Sequence, residues 1–448
     1  MNAKFYTRRQ FLKSSFFGGA GLLIASNMFA RTCLAPNSKI NLAIIGCGKM
    51  ADGHIGGLIH SPLCKIIAVC DVDSARTEYQ KRRIESEYKK RGDAAPDVKE
   101  YKDFRELLAN PSVDAVLIAT PDHWHAIPAI CAVNAGKAVY CEKPLTFTVE
   151  EGRKLVNAAK RMGVPFQVGS QQRSSAEFKR AAQLARNKYL GEIKEVYVSV
   201  SAGNATPRNW KIEECPSTVD WDFWCGPAPY NPYSSQLLPK IDPKANKPHE
   251  AYGWNSWRHH LDYGNGSQAD WGAHQFDIAL WGLGLDGKGI KYIELTDKED
   301  MPGEKHWRMY RYLTESGIPI YRGNHPAIPK RLHGGLTFVC EKGLISAARG
   351  HFWSDREALE TAKLRDDDVS LISSEAHKEN FLNAVLKGTP LAAPVEVGHS
   401  TGTLCIIGNI AYNLGRSLEW DWKSEKFVND AEACKFLSRP NRGEWAAY

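Results

Sequence analysis

A short glycine pattern near the N-terminus constrains the fold of this chain most. The run INLAIIGCGKMA, residues 40–51, reads as an apolar strand that continues through a G-x-G-x-x-A turn into a helix. Gly46 permits the tight turn, Gly48 lets the backbone approach a pyrophosphate, and Ala51 is small enough for the helix to pack on the strand. The first amides of that helix face the anion. This setting predicts a dinucleotide site; the alternative is a glycine-rich turn in some other α/β protein.

The next strand candidate, KIIAVCDVD, brings Asp71 to its end, 25 residues after Gly46. A carboxylate there accepts hydrogen bonds from ribose hydroxyls and repels a 2′-phosphate, which favours NAD over NADP. Arg76 lies close enough in sequence to offset part of that repulsion, so NADP stays the second choice. We therefore expect NAD as the cofactor.

Strand-like and helix-like segments alternate through residue 162, which predicts a doubly wound parallel sheet. Ligands of such sheets bind beyond the carboxyl ends of the strands, where several polar side chains of this sequence fall. The expected cofactor-binding residues are Gly46, Gly48, Lys49, Met50, Ala51, Asp71, Thr120, Pro121, His125, Glu142 and Lys143.

Two later segments carry side chains suited to oxidising a secondary alcohol. In DWGAH, residues 270–274, His274 can take the hydroxyl proton, and an i, i+4 spacing on one helix places Asp270 on the same face. Lys143, in the run EKP, can polarise the reacting oxygen. A structural hydrogen bond on an amphipathic helix is the alternative for the Asp–His pair. His123-x-His125 has metal-ligand character too, but spacing supplies no third ligand, so we expect no metal.

Together these motifs resemble the glucose–fructose oxidoreductase/inositol dehydrogenase (Gfo/Idh/MocA) family, from about Lys39 to the C-terminus. The runs TPDHWHAIPAICAVNAGKAVYCEKP and VGSQQRS match that family. DFWCGPAPYNPY, DYGNGSQADWGAH and GNIAYNLGRSLEWD resemble a bacterial subgroup with twin-arginine leaders. The resemblance implies that Lys143, Asp270 and His274 are catalytic and contact the substrate. It also implies an α/β fold, with an N-terminal Rossmann domain and a C-terminal α+β domain built on a large, mostly antiparallel open sheet.

We place the NAD(P)-binding Rossmann domain at residues 38–162 and the substrate-binding and oligomerisation domain at residues 163–448. The last helix, VGHSTGTLCIIGNIAYNLG, is expected to pack back on the domain junction, and the protein to form a homodimer or homotetramer. Seven tryptophans fall within 72 residues, at positions 210–281, and we expect one or two to touch substrate. Further polar candidates for the substrate pocket are Arg173, Asn204, Tyr263 and His351.

Residues 1–35 have the character of a twin-arginine signal peptide and linker. The run TRRQFLKSSFFGGAGLLIASNMFA pairs two arginines with a short, weakly apolar segment. An ordinary secretory leader or an uncleaved anchor is the alternative, and lipidation at Cys33 is less favoured because Arg31 and Thr32 precede it. We expect export of the folded protein by the twin-arginine translocase to the periplasm, with no transmembrane helix in the mature protein.

Charge and cysteine content agree with that expectation. Without the five basic side chains of residues 1–35, the net charge of +7 falls to about +2, which gives no reason to expect a nucleic-acid partner. The eleven cysteines lack the spacing of a disulfide or zinc framework, as suits a chain that folds in a reducing compartment.

Soluble NAD is not expected outside the cytoplasm, so an exported nicotinamide enzyme should keep its cofactor. The sequence thus predicts an oxidoreductase that transfers a hydride between a sugar or polyol and tightly bound NAD. One alternative is redox-assisted glycoside cleavage, in which oxidation, elimination and re-reduction use the bound cofactor, as in the related glycoside hydrolase family 109. A non-catalytic sugar- or nucleotide-binding protein is the second alternative.

Overall fold

The computed structural model describes residues 39–93, 96–200, 210–242, 244, 256–286, 288–296, 309–372, 374 and 376–448. The predicted signal peptide and linker, residues 1–35, and Asn204 therefore lie outside the described residues. The strands are β1 (Ile40–Ile45), β2 (Cys64–Cys70), β3 (Lys99–Tyr101), β4 (Ala115–Ile118), β5 (Ala138–Cys141), β6 (Phe166–Val168), β7 (Ile193–Val198), β8 (Ile290–Thr296), β9 (Met309–Thr314), β10 (Pro319–Arg322), β11 (Leu336–Cys340), β12 (Gly343–Ala348), β13 (His351–Ser354), β14 (Leu418–Asp421) and β15 (Lys426–Phe427).

The α-helices follow the same chain order. They are α1 (Lys49–Leu58), α2 (Ser74–Lys90), α3 (Phe104–Ala109), α4 (Ala126–Asn134), α5 (Val149–Met162), α6 (Ala176–Arg186), α7 (Trp221–Cys225), α8 (Gly266–Asp270), α9 (Gly272–Leu283), α10 (Ala358–Thr361), α11 (His377–Lys387), α12 (Val395–Leu414) and α13 (Ala431–Cys434). None of the described helices combines the length and apolar character needed to cross a membrane.

The first sheet is parallel, with strand order β3-β2-β1-β4-β5-β6. Alternate residues of β1 face opposite sides, and both sides are covered by helices. Leu42 and Ile44 pack beneath α1 and α2, while Ala43 packs beneath α3 and α4. Burial on both faces explains why these strands are almost wholly apolar. Side chains fix the helix starts, because Asp73 caps α2 and Thr148 forms a capping box in α5.

The second sheet has nine strands in the order β13-β12-β11-β7-β10-β9-β8-β14-β15. Only its β7–β10 pair is parallel, whereas the other named pairs are antiparallel. Helices α6, α9 and α12 cover one face and share a large apolar cluster with it. On the opposite face, half-buried Tyr197 and Tyr321 stack with ring centroids 4.9 Å apart. This pair of sheets confirms the predicted fold class.

The chain crosses between the two sheets more often than the predicted boundary at residue 162 implies. Strand β6, after that boundary, belongs to the parallel sheet, and α11 returns to pack Phe381 and Leu382 against the same sheet. Helix α12 contacts both α5 and α9, so it lies where the two layers meet. It is not the last element, because β14, β15, α13 and a C-terminal segment follow it.

Candidate active site

A cleft follows the carboxyl ends of β1, β2, β4 and β5. All of the expected cofactor-binding residues except Ala51 line it. They are Gly46, Gly48, Lys49, Met50, Asp71, Thr120, Pro121, His125, Glu142 and Lys143. Ala51 is fully buried in the apolar cluster beneath α1, where a small side chain permits close packing of helix and strand.

The two fingerprint glycines serve different purposes. Gly46 has a φ of 86°, and a Cβ there would lie 2.7 Å from the backbone nitrogen of Thr120. A larger residue would therefore separate β1 from β4. Gly48, which precedes α1, leaves open space around the position of a Cβ, with nothing within 4 Å. Close approach of a ligand to this backbone is thus sterically free, as a pyrophosphate on the helix N-terminus requires.

Asp71 is oriented by backbone amides. Its Oδ2 accepts the N–H of Cys47 at 2.7 Å, and its Oδ1 accepts the N–H of Asp73 at 3.0 Å. Burial raises the pKa of Asp71, although the charge of Arg76 acts in the opposite direction. Arg76 itself bonds Asp73 and the carbonyl of Pro239, at 3.2 and 2.6 Å, so its guanidinium is already engaged. Asp71 consequently presents a carboxylate edge to the cleft, where a 2′-phosphate would meet negative charge.

Lys143 lines the cleft and bonds Asp270, which, like His274, is not among the cleft-lining residues. The Lys143 ammonium donates to Asp270 Oδ1 at 2.6 Å and to its carbonyl at 2.9 Å. Arg258 Nε lies 3.4 Å from the same Oδ1. Burial acts to raise the pKa of Asp270, but the charges of Lys143 and Arg258 outweigh it and lower that pKa to about 2. The carboxylate therefore stays ionised and holds the lysine in place.

His274 lies close to this pair without being bound by it. Asp270 ends α8 and His274 belongs to α9, with Trp271 between the helices, so the expected single helix is interrupted. Asp270 bonds Lys143 rather than the imidazole. His274 is 5% exposed, and its Nδ1 has no hydrogen-bond partner among the described residues. Burial, followed by the charge of Lys143, lowers its pKa well below the usual value, so the ring is neutral and can accept a proton.

Comparison with known proteins identifies the family of this chain. The chain matches the family model described as "Oxidoreductase family, NAD-binding Rossmann fold" over residues 40–170. The companion "Oxidoreductase family, C-terminal alpha/beta domain" matches residues 177–447. The chain belongs to the Gfo/Idh/MocA oxidoreductase family. The family assignment confirms the predicted resemblance, and NAD as the cofactor of the first domain.

Curated relatives of this Gfo/Idh/MocA protein match part of its length. The inositol 2-dehydrogenase of Pseudarthrobacter chlorophenolicus is 35% identical over 158 residues, which is 34% of this chain and 43% of the relative. A glycosyl hydrolase family 109 protein of Parabacteroides distasonis is 30% identical over 205 residues, 42% of this chain and 43% of the relative. The chain thus spans less than half the length of the curated relatives it matches.

Among solved structures, the WlbA dehydrogenase from Bordetella pertussis in complex with NADH and UDP-GlcNAcA superposes with a TM-score of 0.56 at 18% identity. The superposition covers 86% of this chain and 99% of that one. At this identity the likeness shows the fold alone, which is the two-domain Gfo/Idh/MocA fold.

Glu142 and His125 make buried hydrogen bonds next to Lys143 in the cleft. Glu142 Oε1 bonds His54 at 2.7 Å and Gln171 at 2.6 Å. Burial acts to raise the pKa of Glu142, but the hydrogen bond and charge of His54, with Lys143, lower it to about 2. His125 joins two strand-end loops, because its ring nitrogens lie 2.6 Å from the Pro144 carbonyl and 2.9 Å from that of Thr120.

Two expected substrate residues prove to be structural in this Gfo/Idh/MocA chain. Arg173 is 3% exposed, and its guanidinium bonds Asp277 at 2.8 Å and Asp286 at 2.5 Å, so its charge is used inside the second domain. Tyr263 is fully buried, and its hydroxyl bonds Asn231 at 3.0 Å and the Pro229 carbonyl at 3.2 Å. Neither lines the cleft. The sequence suggested that these polar residues face a substrate, but in the fold their polar groups are hydrogen-bonded to other protein residues.

The remaining expected features are distributed unevenly. His351 is exposed at the start of β13 and does not line the cleft, and Asn204 lies outside the described residues. Of the seven tryptophans, Trp224 and Trp257 line the cleft, while Trp271 is 41% exposed next to His274. His123 bonds the carbonyls of Trp224 and Tyr263, at 2.9 and 3.3 Å. Within the described ranges, no three His, Cys, Asp or Glu side chains are placed to hold a metal ion.

Sequence reasoning missed Asp122 and Arg258, which both line the cleft. Asp122 is 3% exposed; burial raises its pKa to about 7, with Arg258 acting to lower it. Its position directly after Thr120-Pro121 at the end of β4 was an available signal. Arg258 lies in the short turn Trp257–His259, four residues before the DYGNGSQADWGAH run, and the tertiary structure brings it to Asp270. Phe223, Trp224, Leu238 and Trp257 complete the same wall.

Proposed function

We propose that this protein transfers a hydride between a secondary alcohol of a sugar or polyol and a tightly bound NAD. The observation that carries the proposal is the Lys143–Asp270 pair, joined at 2.6 Å beside the neutral His274. Lys143 lines the same cleft as the glycine fingerprint and Asp71, and Asp270 is joined to that cleft through Lys143. A positioned cation and a neutral base at one edge of a nucleotide-binding sheet are what alcohol oxidation needs.

The described residues fit NAD. The open space at Gly48 suits the pyrophosphate, and Asp71 suits the ribose hydroxyls of the adenosine half. His125, Glu142 and Lys143 then border the end where the nicotinamide would lie. When bound there, NAD supplies the hydride acceptor.

The chain's own residues perform the remaining steps. The neutral imidazole of His274 accepts the hydroxyl proton. The Lys143 ammonium donates a hydrogen bond to the same oxygen and stabilises the negative charge that develops on it. Asp270 keeps Lys143 oriented while it does so, and the Arg258 charge keeps Asp270 ionised. The reverse sequence reduces a ketone.

Tight binding of the cofactor is supported by the wall that faces the fingerprint. Phe223, Trp224 and Trp257 of the second domain line the cleft opposite the parallel sheet. The C-terminal segment reinforces this wall, because the ring centroid of Trp445 lies 5.3 Å from that of Phe223 and 4.7 Å from that of Trp124. A cofactor held between two walls leaves slowly. We propose that the chain folds around NAD before export by the twin-arginine route to the periplasm, and that it works there as a homodimer or homotetramer.

A second candidate function is redox-assisted glycoside cleavage. The similarity to a glycosyl hydrolase family 109 protein, over 205 residues, favours it. In that case Lys143 and His274 would assist oxidation of a hydroxyl to a ketone, with bound NAD as the hydride acceptor. The ketone would acidify the neighbouring C–H, loss of that proton would expel the aglycone, and water would add to the double bond before the hydride returns to the ketone. This cycle would release the aglycone with no net change in reduced nicotinamide.

The test begins with protein purified without added cofactor, denatured so that bound nucleotide is released and quantified by absorbance and mass. We expect close to one NAD(H) per chain. The loaded protein is then mixed with sugars, polyols and glycosides while the reduced-nicotinamide band is followed and aglycone release is assayed. A change in the band with no aglycone supports oxidoreduction, and aglycone without a lasting change supports cleavage. Empty protein that binds NAD only weakly would overturn the retained-cofactor proposal.

A further inference from the structure

One large aromatic side chain next to the proposed base is exposed. Trp271 is 41% exposed, while Trp221, Trp224, Trp257 and Trp281 of the same region are at most 6% exposed. It lies between α8 and α9, directly after Asp270, and its ring centroid is 6.3 Å from that of His274. Core packing therefore does not account for the exposed part of this tryptophan, and its aromatic face is available to a ligand beside His274.

An arginine from the second sheet covers part of this ring. Arg349 lies in the turn that joins β12 to β13. Its guanidinium carbon is 4.9 Å from the centroid of the Trp271 ring. The turn itself is fixed, because the next residue, Gly350, donates its N–H to Glu177 at 2.7 Å. A tryptophan and an arginine from distant parts of the chain thus meet at a defined place beside His274.

The charge of Arg349 has no carboxylate partner in the part of the chain that the structure describes. Arg258 and Lys143 share the Asp270 carboxylate, but no described carboxylate lies within 4.0 Å of the Arg349 guanidinium. Its charge reaches the active site, since it contributes to lowering the pKa of His274. The planar fork of a guanidinium matches the two oxygens of a carboxylate. An aromatic face next to it matches the C–H face of a pyranose.

We propose that Trp271 and Arg349 form a binding subsite for a sugar that carries a carboxylate, such as a uronic acid or its glycoside. The sugar ring packs on the exposed part of Trp271, and its carboxylate pairs with Arg349. This subsite deepens the proposed function, on which it rests, by giving the substrate a chemical class. A carboxylate bound at Arg349 would also offset the positive charge near His274 and make the imidazole a better base.

The experiment compares two matched probes, methyl β-D-glucuronide and methyl β-D-glucoside, on the NAD-loaded protein. Binding is measured by calorimetry and hydride transfer by the reduced-nicotinamide band. We expect the glucuronide to bind about tenfold more tightly at low salt, as suits a charge-assisted hydrogen bond, and the preference to shrink at roughly 0.5 M NaCl. Arg349→Met should remove the preference by weakening glucuronide binding far more than glucoside binding, while Arg349→Lys should restore part of it. Arg331→Met, at another exposed arginine, is the matched control.

The outcomes separate this proposal from the proposed function. Equal binding of the two probes by the wild type, or a preference that survives Arg349→Met, overturns the subsite. If glucoside is nevertheless oxidised, the proposed function stands without it. If neither sugar changes the nicotinamide band but glucuronide binding depends on Arg349, the subsite stands and the proposed reaction fails. A change in sedimentation on Arg349→Met with unchanged sugar binding would assign the pair to a contact between copies and also overturn the proposal.

Discussion

The two walls of the cleft are built in different ways. On the parallel-sheet wall, ligand-facing groups follow directly from strand ends, and backbone amides orient them, as with Cys47 N–H and Asp71. The opposite wall consists of short turns whose positions depend on distant segments. Its helix α7 is held by Arg442, which bonds the side chain of Asp222 at 2.8 Å and comes from the C-terminal segment. Local chain geometry therefore builds one wall, and long-range packing builds the other.

Because of this difference, the two members of the catalytic pair are positioned in different ways. Lys143 follows β5 directly and stands on the locally built wall, but its partner Asp270 comes from α8, 127 residues later. The catalytic pair exists only when both walls are in place. Substitutions on the first wall should act on binding or chemistry at defined atoms, while those on the second should act through the position of their neighbours.

Lys143→Met should give the largest effect. The variant keeps the length of the side chain but removes the donor to the reacting oxygen, so we expect kcat to fall roughly 10³-fold or more. NAD released on denaturation should stay close to the wild-type amount, because the glycine fingerprint and Asp71 are untouched. Stopped-flow absorbance of the nicotinamide band measures the rate, and Lys154→Met, at a surface lysine of α5, is the control. Turnover of sugar at the wild-type rate would contradict the proposed role.

Asp122→Asn tests whether the buried Asp122 carboxyl in the cleft is protonated in the folded protein. Burial raises the pKa of Asp122 to about 7, so the folded state holds a proton that the unfolded state releases near pH ~4. The free energy of unfolding should therefore fall as pH rises from about 4 to about 7, by at most roughly 4 kcal/mol from this group.

The asparagine variant lacks this loss, so its stability relative to wild type should increase over the same pH range. Urea unfolding of cofactor-free protein at about pH 4.5 and about pH 7.5 measures the difference. Asp366→Asn, at an exposed carboxyl, should run parallel to wild type. An equally parallel response of Asp122→Asn would mean that the carboxyl is ionised throughout.

Gly46→Ala tests the locally built wall against a matched glycine. Both Gly46 and Gly136 have positive φ, 86° and 71°, but only a Cβ at Gly46 meets backbone, 2.7 Å from Thr120 N. Conformational strain costs each alanine about 1–2 kcal/mol, and the clash adds about 1–3 kcal/mol at Gly46 alone. Thermal unfolding should show the larger loss for Gly46→Ala, accompanied by weaker NAD binding. Equal losses would show that β1 and β4 separate at no cost.

These contrasts explain how much the sequence could predict. The roles of Gly46, Gly48 and Asp71 could be predicted from the sequence because they depend on neighbours along the chain and on the order of parallel strands. Arg173 was misread because its partners, Asp277 and Asp286, lie more than 100 residues away and no sequence pattern indicates them. Arg258 was missed because it lies outside the DYGNGSQADWGAH run, which begins four residues later, and only the folded chain brings it back to Asp270.

Arg258→Gln should give the smallest effect and test the long-range wall directly. Arg258 Nε is 3.4 Å from Asp270 Oδ1, whereas Lys143 Nζ is 2.6 Å from it, so the arginine is the weaker of the two partners. Removing its charge should raise the pKa of Asp270 and loosen Lys143, and we expect kcat to fall roughly fivefold to tenfold. The loss should grow as pH falls, because Asp270 then begins to protonate. Rates of the Arg258→Gln variant and of wild type at about pH 5 and about pH 8 check this. The neighbouring Trp257 is not substituted in this variant. An equal loss at both pH values would mean that Arg258 acts on the substrate itself, which would move the second wall from support to direct recognition.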